Sequence, residues 1–91
     1  MLKLEQSTKF KKDLKLIRRR GLDISKLRNV IQKLMNEEEL EEKYHDHNLG
    51  GNWEGHRECH IAPDWLLIYK VDKGNLILTA MRTGTHSDLF T

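Results

Sequence analysis

The stretch "WLLIYKVDKGNLILTAMRT", residues 65–83, decides how this chain folds. Residues 65–71 form a continuous apolar run of strand length, the pattern of a central strand covered on both faces. "DKGN" at 72–75 gathers residues that favour tight turns, and "LILTAMRT" at 76–83 resumes as a second strand, so the pair reads as an antiparallel hairpin. Upstream, "APDW" at 62–65 holds the only proline and reads as another turn. Before it, "WEGHRECHI" at 53–61 reads as extended, entered through the turn "GGNW" at 50–53. Three antiparallel strands in succession follow from this pattern.

In the first half of the chain the period is helical. "LKLE" at 2–5 alternates and reads as a short first strand with Leu2 and Leu4 on one face. Ser7 or Thr8 can then cap a helix in which Phe10, Leu14 and Ile17 recur at helical spacing, with Gly21 as its stop. Asp23 or Ser25 opens a second helix whose apolar stripe is Ile24, Leu27, Val30, Ile31, Leu34 and Met35. "NEEELEEK" at 36–43 reverses the charge and reads as the end of that helix or a solvated acidic turn. The expected fold class is α+β, ordered β-αα-β-β-β: an antiparallel sheet with a helical hairpin packed on one face, the other left for a site. Trp53, Trp65, Leu67 and Tyr69 are expected in the core.

A chain of 91 residues suffices for one small domain, 1–91, with a single core. No apolar run approaches the length of a membrane span, and "MLKLEQSTKFKKDL" lacks the apolar centre of a signal peptide, so a cytoplasmic protein is expected. The single cysteine, Cys59, has no internal disulfide partner, which agrees with a reducing compartment. Charge is unevenly distributed: residues 1–36 hold eleven Lys/Arg against three Asp/Glu (+8), residues 37–91 five against eleven (−6), and the whole chain carries +2. The basic face of the first helix, Lys11, Lys12, Lys15, Arg18, Arg19 and Arg20, suits a phosphate backbone or an acidic protein segment.

Four of the five histidines fall within "YHDHNLGGNWEGHRECHIAPDW", residues 44–65, together with Cys59. Structural zinc asks for paired ligands, but Cys59 and His60 are adjacent on an extended segment and point to opposite faces. No metal and no cofactor is therefore expected, and Cys59 reads as a small buried apolar residue. Acid-base chemistry asks instead for histidines and carboxylates from separate strands to meet in one pocket. Alternation over 52–61 places His56, Glu58 and His60 on one face, with Trp53, Arg57, Cys59 and Ile61 on the other, subject to a bulge near "GHRE". Asp64 follows the proline, and "RTGTHSDLF" at 82–90 delivers Arg82, His86 and Phe90 from the end of the last strand.

The motif D-H-x-L-x-G-x-W-x-G-x-R-x-x-H-x-x-P-D-W-x-L-I-Y over residues 46–69, with the closing R-T-G-T-H-x-x-L-F over 82–90, resembles the RelE/ParE superfamily of type II toxins, and most of all its YafQ branch. The resemblance spans essentially the whole chain and implies a RelE-like fold. It further implies a ribosome-dependent mRNA endonuclease in a heteromeric complex with a cognate antitoxin, acting on mRNA at the ribosomal RNA surface. Carried over residue by residue, it implies catalytic or substrate-holding roles for His47, His60, Asp64, His86 and Phe90. Asp46 and Trp65 also match, whereas Asn48 stands where proline is common and His45 and His56 belong to no motif.

Cleavage of this kind needs no metal, because the RNA's own 2′-hydroxyl attacks the neighbouring phosphorus. Histidine suits either proton role near neutral pH, its unperturbed pKa being about 6.5. His86 is the expected general acid and His60 or Asp64 the base or its orienter. His47 orients substrate or shares the proton work, Arg82 and Arg57 clamp phosphate, and Phe90 stacks on a base. Two other functions fit the same fold: a ParE-like poison of DNA gyrase and a non-catalytic nucleic-acid-binding module. Histidines at 47, 60 and 86 argue against the first.

Overall fold

The structure, a computed structural model, describes residues 1–90. Its elements are β1 (Lys3–Gln6), α1 (Thr8–Arg19), α2 (Ile24–Met35), β2 (His47–Asn48), β3 (Arg57–Ala62), β4 (Trp65–Asp72), β5 (Ile77–Gly84) and α3 (His86–Phe90). The five strands form one sheet in the order β1-β5-β4-β3-β2. The expected α+β architecture is present, with one difference in its sheet. β3, β4 and β5 form the antiparallel meander, but β1 lies parallel to β5, with Lys3 opposite Ile77 and Gln6 opposite Ala80. The helical hairpin between them returns the chain to the sheet in the same direction, so the sheet is mixed.

Capping explains where the helices begin. The Ser7 hydroxyl accepts from the Phe10 amide at 3.0 Å and donates to the Met81 carbonyl at 2.6 Å, so one side chain starts α1 and ties it to β5. Asp23 accepts from the Ser25 amide at 3.0 Å and starts α2. Phe10, Ile17, Leu27, Val30 and Leu34 then bury against Leu2, Cys59, Leu67, Tyr69, Leu78 and Ala80 on one face of the sheet. Each such aliphatic or aromatic side chain contributes about 1.5–3 kcal/mol by leaving water. The charged side of α1, including Lys11, Lys12, Lys15, Arg18 and Arg19, stays exposed.

Two irregularities in the ladder set which residues face which way. The register shifts once between His60 and Ala62 on β3, and once opposite Ile68 and Tyr69, where β5 carries an extra residue. The second shift pairs Leu67 with Thr83 rather than Arg82. Thr83 is thereby buried beneath Trp65, accepting from its indole N–H at 2.9 Å and donating to the Leu66 carbonyl at 2.7 Å. Alternation cannot run through "GHRE", because β3 starts only at Arg57. Trp53 sits before it in a 3-10 turn and packs with Leu66, Ile68, Met81 and Leu89 on the face away from the helical hairpin, opposite to the side expected from alternation.

Candidate active site

Strand register brings the first half of the site together. β2 pairs with β3 so that His47 lies opposite Glu58, and β3 pairs with β4 so that His60 lies opposite Leu66. Glu58 and His60 are two residues apart and share the face remote from the helical hairpin. The Glu58 carboxylate is buried, with Oε1 3.4 Å from His47 Nε2 and 3.9 Å from His60 Nε2. Its Oε2 is buried without a hydrogen-bond partner among the described residues. His45 ends the 3-10 turn Glu42–Tyr44 in a left-handed conformation, φ 47°. Its carbonyl accepts from His47 Nδ1 at 2.6 Å, and its ring meets that of His60 edge-on at 5.3 Å between centroids.

The second half arrives with α3. Thr85 and Asp88 exchange hydrogen bonds in a capping box, Thr85 N–H to Asp88 Oδ2 at 2.9 Å and Asp88 N–H to Thr85 Oγ1 at 3.1 Å. Arg20, at the end of α1, grips the same carboxylate at 2.6 and 3.1 Å. Gly84 makes room for this: a Cβ there would lie 2.8 Å from Asp88 Oδ2. So held, His86 points its Nδ1 at Asp64 Oδ1 (3.0 Å), and its backbone N–H donates to the same oxygen at 3.2 Å. The His86 ring lies 5.9 Å from that of His60 and 6.3 Å from that of Phe90, one helical turn on.

His47, His60, Asp64, His86 and Phe90, which share a motif in the sequence, therefore form one continuous surface. The two arginines are each paired with a carboxylate outside that motif set. Arg82 is held by Asp13 of α1, Nε to Oδ2 at 2.7 Å and Nη2 to Oδ1 at 3.1 Å. Arg57 is turned to Asp46 and Asn48. His56 packs edge-on against Trp53 at 5.2 Å, outside the cluster. Two members of the cluster, His45 and Glu58, were given no role from the sequence. Glu58 was discoverable, since alternation set a carboxylate beside His60. His45 gave no such signal, because its place depends on a left-handed turn.

Electrostatics separate the groups. Burial lowers the pKa of His60; Glu58 opposes that shift, and the rings of His45, His86 and His47 add to it. The hydrogen bonds from His86 hold the Asp64 carboxyl below the usual carboxylate range. Burial pushes the Cys59 thiol far up, as suits an unreactive core residue. Among the described residues no group of three or more His, Cys, Asp or Glu is arranged to hold a metal ion. An open groove of about 840 Å³ runs past the rings, lined by Lys26, Asn29, Lys43, His45, His47 and His60 among others.

Residues 2–91 match the family described as the bacterial toxin of type II toxin-antitoxin system, YafQ. The mRNA interferase toxin YafQ of Escherichia coli K12 is 44% identical over 89 residues, covering 96% of this chain and 94% of that protein. The crystal structure of the E. coli DinJ-YafQ complex superposes with a TM-score of 0.91 at 40% identity over 100% of both chains. That of a metal-bound toxin from Helicobacter pylori gives 0.93 at 44% identity over 99% and 100%. With nearly its whole length matched by that family and its fold shared with YafQ structures, the chain belongs to the YafQ family of toxins of bacterial type II toxin-antitoxin systems.

Proposed function

We propose that this protein is an mRNA interferase, a single toxin domain over residues 1–91 that cleaves mRNA on the translating ribosome and is silenced by a cognate antitoxin in the cytoplasm. The observation that carries the reading is the Asp64–His86 pair beside the ring of His60. With Nδ1–H donated to Asp64, His86 presents Nε2 outward, where a proton can pass to the departing 5′-oxygen. His60, its pKa lowered, is neutral at pH 7 and takes the proton of the attacking 2′-hydroxyl. The 2′-oxygen bonds to phosphorus, the bond to the 5′-oxygen breaks, and a 2′,3′-cyclic phosphate and a 5′-hydroxyl result.

Asp64 is thus the orienter of His86 rather than the base. Glu58 steadies His47 and His60 from beneath, and the exposed Phe90 ring stacks on a base, a contact typically worth about 1–3 kcal/mol. Arg82 keeps its phosphate role: Asp13 takes the Nε–Nη2 edge of the guanidinium and orients it, while no hydrogen bond is recorded at Nη1 among the described residues. The exposed lysines and arginines of α1 face ribosomal RNA and an acidic stretch of the antitoxin.

Primer extension on a translated message tests the reading, with wild-type protein and a His86→Ala variant checked for folding by circular dichroism. Cleavage by the wild type, silenced by co-expressed antitoxin and nearly lost in the variant, is expected. A folded His86→Ala protein cutting at the parental rate would end the assignment. Growth arrest with gyrase inhibition and no cut message would favour the gyrase-poison alternative.

A further inference from the structure

Arg57 is the most heavily engaged cation among the described residues, and none of its partners is in the histidine cluster. Its Nε donates to Asp46 Oδ1 at 3.3 Å, its Nη2 lies 3.2 Å from Asp46 Oδ2, and its Nη1 donates to Asn48 Oδ1 at 2.6 Å. The Tyr69 hydroxyl, from β4, donates to the same Asp46 Oδ1. All three guanidinium nitrogens thus contact the two residues that flank His47. Tyr69 is anchored in the hydrophobic core, so the grip is referred to the centre of the sheet.

We infer that Arg57 is a positioning residue: with Asp46, Asn48 and Tyr69 it forms a frame that fixes the 45–48 segment and so aims His45 and His47 at the reacting face. The geometry makes this a lever. β2 is only two residues long and pairs with β3 at Asn48↔Arg57 and His47↔Glu58, too little ladder to hold a segment by itself. Side chains alternate across it: Asn48 turns to Arg57, and His47 turns to Glu58. Losing the grip on positions 46 and 48 frees position 47. The assignment rests on the nuclease reading for its catalytic consequence, though not for the frame itself.

Three variants separate a frame from a clamp: Asp46→Asn, Arg57→Ala and Arg57→Lys, with Tyr69→Phe as a milder fourth that keeps the ring in the core. Single-turnover cleavage on programmed ribosomes should fall roughly tenfold to a hundredfold in Asp46→Asn and Arg57→Ala alike, with ribosome affinity nearly unchanged. The double variant should be no worse than either single one. Arg57→Lys should fail to rescue, because an ammonium cannot bridge two side chains as the planar fork does. Rescue by lysine, or weakened ribosome binding in Arg57→Ala beside a fully active Asp46→Asn, would overturn the frame in favour of a clamp. Histidine-ring NMR on the free protein gives a readout independent of cleavage. The ring signals of His45 and His47 should move in Arg57→Ala while those of His56 stay in place, and unmoved His45 and His47 signals would reject the frame even if the wild type proved not to be a nuclease.

Discussion

Two segments carry side chains to the reacting face, and they are secured in opposite ways. The 45–48 segment is held by half-buried, multidentate contacts that lead through Tyr69 into the core. α3 is held by Arg20 on Asp88, a pair about as exposed as Arg57–Asp46, and by Asp64 on His86, a pair largely open to solvent. An exposed pair such as Asp64–His86 is screened by salt and contributes little to stability, whereas the Asp46 contacts are also tied through Tyr69 to the core. The chain therefore places His47 on a stiff mount and His86 on an adjustable one.

The largest separation should be seen in rates. His86→Ala should lower the cleavage rate by roughly 10² to 10⁴-fold, and His47→Ala by roughly tenfold, because in the proposed mechanism only His86 supplies the proton to the departing oxygen. Equal losses in single-turnover assays would erase the contrast. Gly84→Ala should loosen α3 without touching a reacting group. Its φ of 156° and the 2.8 Å approach of a Cβ to Asp88 Oδ2 force one or the other to yield, at a cost of about 1–3 kcal/mol. Urea unfolding should report that loss, and proteolysis should find α3 more readily cut than the 45–48 segment. Arg20→Ala should lower the urea midpoint only slightly, and the difference from wild type should shrink in high salt. If the difference persisted there, the α3 mount would be stiffer than its exposure implies.

The last prediction is a slope rather than a step. The pKa of His60 is lowered on folding, so the unfolded chain binds its proton more readily. The stability that this neutral ring confers is present above the unfolded value of about 6.5 and is lost as pH falls below it. Between pH 7.5 and 5.5 the urea midpoint of the wild type should drop more than that of His60→Gln. Parallel slopes would mean that the burial of His60 is unimportant.

How much of this was legible in the sequence depended on range. The hairpin at 65–83 and the two capped helices follow from local pattern, since turn formers and apolar periods act over a few residues. The parallel partner of β1 does not, because nothing near Leu4 indicates that Leu78 lies beside it. The fate of the arginines was hidden for the same reason. Arg82 meets Asp13 and Arg57 meets Asp46 only after the sheet has closed, and an unpaired arginine in a motif looks like a ligand-binding one. The extra residue in β5 also escaped, since a single bulge reverses every later side chain without altering the apolar count. His47, His60, Asp64 and His86 could be picked out because the family motif recorded the result of those distant contacts.

The parallel pairing of β1 with β5 has a consequence for synthesis. Loop closure between distant segments is slow and must precede the contacts that reward it. A nascent chain stopped before residue 77 already contains α1, α2 and four of the five strands, yet β1 has no neighbour, the Ser7 hydroxyl has no Met81 carbonyl, and Asp13 has no Arg82. Asp64 likewise waits for His86. The contacts that close the sheet and orient His86 therefore form only once β5 and α3 have been made.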